Sequence, residues 1–224
     1  MIEETPEWAA IAATRQGLYR TFGRALLPPD PGLTETLRAA AEYLEEQDLT
    51  RFAFYPQWLA FRGALIEVPS DEELAVMYVR LFASGVDGAL CPPTESWYKT
   101  DARIGGTAEL LAALEADYRA LGLAAVGTAE PPDHASTQLE AMSALCGQEA
   151  EAWRARQDPD AAAALDRQDR FLRTHLATWF GDFAARVRGS DQNGWYRAVT
   201  ETVDAFVVSE VDLVRALRRQ MGAA

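Results

Sequence analysis

The sequence predicts an all-α protein: a single globular helical domain over residues 1–224, built from roughly eight to ten helices. Three observations carry this. Apolar residues recur at spacings of three and four along most of the chain, the period of a helix with one buried face. No stretch of useful length alternates apolar and polar residues, as a half-buried strand would. The periodic segments are separated by prolines and glycines, the residues that stop helices.

Pro6 to Leu27 reads as the first helix, with Trp8, Ile11, Ala12, Leu18, Tyr19, Phe22 and Leu26 mostly at helical spacing. The run Pro28–Gly32 ends it. Thr34 to Glu46 makes a short second helix. Asp48 to Ile66 reads as helical and strongly aromatic, and Pro56 marks a break or a first-turn position within it. Val68-Pro69 stops that segment. Ser70 with Glu73 then forms a capping box for a helix carrying Leu74, Met77, Tyr78, Leu81 and Phe82. Gly85 and Gly88 open a loop that runs to Asp101. Thr107 to Leu121 is helical, and a Gly/Ala/Pro linker runs from Gly122 to Pro132. These two connections exceed the usual length in helical proteins, and such loops are often functional.

The stretch from Glu130 to Trp153 organises the chain. Pro131 and Pro132 forbid a helix from running in from upstream. Asp133 is placed to cap a new helix, with Thr137 and Glu140 as a competing capping box. Leu139, Met142, Cys146, Ala150 and Trp153 then form one apolar stripe. Met142, Cys146 and Trp153 are therefore expected to be buried and Glu151 exposed. After Pro159 one long amphipathic helix is expected to reach about Val187, and a last helix runs from Trp195 to Met221.

Composition narrows the function. Lys and Arg number 21 against 34 Asp and Glu, a formal charge of −13. Such a surface repels nucleic-acid phosphates and anionic lipids and attracts a basic peptide. Two cysteines, Cys91 and Cys146, are too few for a disulfide scaffold. The acidic start MIEETPEWAA has no signal-peptide character, and no window is apolar enough to span a bilayer, so a cytoplasmic location is expected. The soft metal ligands are His134, His175, Cys91 and Cys146. His134 and Cys146 stand about 18 Å apart along one helix, so they cannot share a metal, and no metal site or cofactor is expected. No phosphate-binding glycine loop and no nucleophile with a motif accompany Asp133-His134, which leaves a hydrolytic or nucleotide-processing reading without its parts.

Two ordered motifs remain. The first is Tyr78-x-x-Leu81-Phe82 followed by Pro92-Pro93-x-Glu95-Ser96-x-Tyr98. The second is Glu130, Pro132, Asp133 and His134 with Leu139, Met142 and Leu145. A weaker third is Phe171-Leu172-x-x-His175-Leu176-x-x-Trp179. Together they resemble the signatures of the redox-enzyme maturation chaperones of the TorD/DmsD/NarJ type, over residues 74 to 183. Ala135, Gln138 and Ala141 depart from the pattern, where Leu, an acidic residue and an aromatic are usual.

The resemblance implies a TorD-like helical fold, no catalysis and no cofactor. It implies a cytoplasmic chaperone for the precursor of a molybdenum-containing oxidoreductase, whose twin-arginine signal peptide it binds before export. Neither nucleic acid nor membrane insertion is expected, and monomer and helix-swapped homodimer both stay open. The implied peptide-binding residues are Tyr78, Leu81, Phe82, Pro92, Pro93, Glu95, Ser96, Tyr98, Glu130, Pro132, Asp133 and His134, brought into one cleft. Glu130, Asp133 and Glu95 would meet the arginines; Leu81, Phe82, Pro93 and Tyr98 would meet the apolar stretch. Read without the family, Tyr78, Leu81 and Phe82 are an aromatic stripe in a core, Glu95 and Ser96 cap a turn, and His175 is a hydrogen-bonded core histidine. The alternative from another class is an all-α scaffold subunit of a permanent complex.

Overall fold

A computed structural model describes residues 4–83, 88–99, 106–123, 130–191 and 194–222. Parts of the expected loops (84–87, 100–105 and 124–129) and of the turn before the last helix (192–193) lie outside the described residues. In chain order the elements are α1 (Glu4–Ala25), α2 (Leu33–Glu45), a 3-10 turn (Leu49–Arg51), α3 (Tyr55–Ile66) and α4 (Asp71–Tyr78). A π-helical turn (Val79–Ala83), α5 (Glu95–Tyr98), α6 (Thr107–Ala120) and α7 (Ala135–Arg154) follow. The chain continues through α8 (Asp158–Thr174), a 3-10 turn (Leu176–Thr178), α9 (Phe180–Ser190) and α10 (Trp195–Gly222). The all-α class holds among the described residues, where β pairing is confined to one isolated antiparallel bridge, Thr94 with His134.

Helix α7 is the axis of the molecule. Fourteen of its twenty residues are buried, with α1 and α8 packed along it. Met142 and Cys146 are fully buried, Trp153 is nearly so, and Glu151 is exposed, as the stripe predicts. Helix α10 closes the other side against α3, α8 and α9. Phe22 of α1 is the hub of an aromatic core, meeting Trp58 at 6.3 Å, Phe61 at 5.9 Å and Phe206 at 5.5 Å between ring centroids. These near-perpendicular and tilted contacts suit the ring quadrupoles.

Several boundaries follow the expected chemistry. Ser70 and Glu73 form the capping box, the Ser70 hydroxyl accepting from the Glu73 amide and the Glu73 carboxylate from the Ser70 amide. Pro56 sits in the first turn of α3, where its missing amide is harmless, and a 3-10 turn replaces the helix expected before it. Gly122 ends α6 in the left-handed region (φ 71°); it donates to the Arg119 carbonyl while Leu123 donates to that of Tyr118. That is the Schellman closure glycine favours.

Two expectations need correction. The single helix from Pro159 to Val187 is broken: α8 stops at Thr174, and His175, at φ −122° and ψ −91°, turns the chain into a 3-10 turn before α9. The helix start also differs. His134, not Asp133, is the N-cap of α7, its ring Nδ1 accepting from the Ser136 amide at 3.2 Å.

Candidate functional site

The two motifs meet backbone to backbone. Pro93 and Thr94 run antiparallel to Asp133 and His134: the Glu95 amide donates to the Asp133 carbonyl (2.9 Å) and the Ala135 amide to the Pro93 carbonyl (2.8 Å). Proline explains why this pairing is short. Pro92 and Pro93 cannot donate, and neither can Pro131 and Pro132, so no ladder can extend past the bridge. The Asp133 carboxylate caps α5 rather than α7, accepting the Ser96 amide at 3.1 Å.

Beneath this bridge lies a buried polar cluster centred on Glu95, which has no exposed surface. Its carboxylate accepts from Gln138 Nε2 at 2.6 Å, faces His175 Nδ1 at 3.1 Å and pairs with Lys99. Burial alone would push Glu95 up, but hydrogen bonds from His175 and Lys99 hold its carboxyl below the usual range. The other ring nitrogen of His175 faces Asp117 of α6 at 3.1 Å, and Arg170 reaches the same carboxylate at 2.9 Å. Lys99 also donates to the Thr174 carbonyl at 2.8 Å, capping the end of α8. Gln138 accepts from Trp179 Nε1 at 3.0 Å, and Trp179 stacks on Tyr98 with centroids 5.5 Å apart. Gln138 of α7, His175 at the end of α8 and Lys99 at the end of α5 therefore meet on one carboxylate, and Asp117 of α6 is joined to it through His175. His134 lies beside this cluster, buried and bonded to the Ser136 hydroxyl at 2.6 Å, with Glu130 3.8 Å from its other nitrogen. Burial lowers the His134 pKa to about 4, so the ring is neutral near pH 7.

The sequence-predicted residues separate by exposure. Pro92, Ser96, Tyr98, Glu130 and Pro132 are partly exposed, whereas Tyr78, Leu81, Phe82, Pro93, Glu95, Asp133 and His134 are buried. Tyr78 and Phe82 pack edge to face at 5.2 Å and both meet Tyr196 of α10. The π turn lets the Leu81 carbonyl accept the Cys91 amide at 2.7 Å, which ties the Pro-rich loop to this core. The two motifs are thus bonded to each other, with Glu95 and Asp133 buried and Glu130 partly exposed. Asp133 and His134 do not form an acid–base pair, since each serves a different helix start. Among the described residues no three His, Cys, Asp or Glu side chains are grouped to hold a metal.

Sequence reasoning missed Asp117, Lys99 and a second buried network. Arg15 of α1 is fully enclosed; its Nε donates to both Glu210 oxygens at 2.9 Å, one terminal nitrogen to Glu149 at 2.7 Å and the other to Gln168 at 2.5 Å. A signal was present. Arg15 lies three and four residues from Ile11, Ala12, Leu18 and Tyr19, on the apolar stripe itself, where a charge demands a partner.

The fold is all-helical among the described residues, and its two motifs are bonded to one another at the Thr94–His134 bridge. Residues 29–185 match the family model of the nitrate reductase delta subunit. The chain belongs to that family, the NarJ-type maturation chaperones of molybdoenzymes, which are not enzymes. No curated protein matches. A solved chain described as a redox enzyme maturation protein of Archaeoglobus fulgidus is similar at 21% identity, over 89% of this chain and 93% of that one, with a TM-score of 0.48. No helix among the described residues is long and apolar enough to cross a membrane.

Proposed function

We propose that the protein is a cytoplasmic chaperone that binds the twin-arginine signal peptide of a molybdoenzyme catalytic-subunit precursor and holds it until the cofactor is inserted, before export. The carrying observation is the junction of the two family motifs at the Thr94–His134 bridge, which gathers Glu95, Asp117, Glu130 and Asp133 beside Tyr98 and the aromatic core in a chain of charge −13. A peptide with a basic start and an apolar middle complements both halves. Glu130, with Pro92, Pro132, Ser96 and Tyr98, forms the accessible rim; Glu95, Asp133, His134, Tyr78, Leu81, Phe82 and Pro93 stand behind it.

The test is calorimetric titration with a synthetic peptide carrying paired arginines and an apolar stretch. Binding is expected to weaken at least tenfold when both arginines are replaced and to weaken with added salt, since both signs of charge are then screened. A peptide that binds equally well without its arginines, or not at all, refutes the reading.

A further inference from the structure

Helix α6 is attached differently from every long helix around it. Of its fourteen residues only Leu114 is buried, whereas α7 buries fourteen of twenty. Two polar side chains near its C-terminal end tie it to the rest of the molecule. Asp117 bonds His175 and Arg170, and the Tyr118 hydroxyl donates to the Pro132 carbonyl at 2.6 Å. Tyr118 also lies on Phe171 at 5.6 Å. The seam between α6 and α8 is imperfectly filled: a cavity of about 90 Å³ lies between Asp117, Leu121, Arg167, Arg170 and Phe171. Arg167 Nε is buried there without a partner. These ties place α6 against the motif junction: Tyr118 bonds the backbone one residue before Asp133, and Asp117 bonds the histidine that faces Glu95.

We propose that α6 is a cover over the peptide site, and that a cationic client segment binds by displacing it. This rests on the peptide-binding reading above. The cover resolves the burial of the motif acids: with α6 lifted, the Pro132 carbonyl, Phe171 and the Glu95–His175 pair lose the group that shields them. Local opening of this kind draws on elements with little buried apolar surface and polar ties, which α6 is. The part of the site behind the rim is reached only in the open form, so affinity is reduced by the open fraction and any change that loosens α6 tightens binding.

Two measurements test this. In the free protein, amide hydrogen exchange of residues 110–120 is expected to be at least a hundredfold faster than that of the α7 core. Equal protection overturns the cover whether or not any peptide binds. The paired-arginine peptide is then added. Faster exchange in 110–120 is expected, and slower exchange overturns the proposal, because α6 would then be part of the bound surface. The variant Tyr118→Phe removes the tie to Pro132, and loss of one such bond shifts opening by about two- to tenfold. It is expected to speed α6 exchange and raise peptide affinity by the same factor. Faster exchange with unchanged or lower affinity overturns the cover. A wild-type protein that opens at α6 but binds no such peptide instead refutes the peptide reading.

Discussion

Replacing Arg15 by alanine should be among the most damaging single changes in this protein. The guanidinium bonds Glu210 through Nε at 2.9 Å, Glu149 at 2.7 Å and Gln168 at 2.5 Å, and Arg15, Glu210 and Gln168 are fully buried, with Glu149 1% exposed. Alanine leaves two enclosed carboxylates with no cation between them. Removing one partner of a buried ion pair costs about 3 to 5 kcal/mol, and the lost side-chain volume adds to that. For a domain of this size, about 2 to 4 °C of melting temperature accompanies each kcal/mol, so a drop of roughly 6 to 20 °C is expected. Urea unfolding followed by circular dichroism measures it, with an unchanged slope showing that only stability moved. A compensating variant separates charge from packing: Arg15→Met with Glu149→Leu and Glu210→Met should recover more than half of the loss, because a well-packed apolar replacement of a buried ionic group is often neutral. An Arg15→Ala loss below about 1 kcal/mol would refute the argument, since it would mean water reaches the network.

Two further outcomes follow from the geometry. The folded-state pKa of His134 is about 4 against an ordinary 6.5. The unfolded chain therefore takes up the proton first, and stability present above pH 6.5 is lost as pH falls toward 4, by up to about 3 kcal/mol; His134→Asn, which keeps an N-cap acceptor, should lose correspondingly less over that range in pH-dependent urea melts. Arg156 ends α7 in the left-handed region at φ 56°, its amide donating to Trp153 and that of Gln157 to Ala152; Arg156→Gly should raise stability by about 1 kcal/mol in the same assay, because glycine carries no Cβ penalty there.

The sequence made legible those features that are local. The Ser70–Glu73 capping box, the first-turn Pro56 and the apolar stripe of α7 each depend on neighbours within one or two turns, and each is found. The features that differ are tertiary. Nothing between Phe171 and Trp179 is a helix breaker, and α8 breaks where His175 is held between Glu95, 80 residues upstream, and Asp117, 58 upstream. Asp133 has the chemistry of an N-cap and performs it, but for the helix that begins at Glu95. At the candidate site, the family resemblance implied that the two motifs belong together. The resemblance did not show that Glu95 is enclosed, because burial of a carboxylate is set by its partners, and Gln138 and His175 lie 43 and 80 residues away.

The Arg15 network also joins segments made far apart in time during synthesis. Its bond to Glu210 spans 195 residues, joining the first helix to the last. A nascent chain that has emerged only through α8 holds Arg15, Glu149 and Gln168 but lacks the second carboxylate and the wall α10 supplies. Contacts of such separation form late, since the loop entropy must be overcome before they contribute. The first helix therefore gains its full set of charged partners only once α10 has been made and has docked.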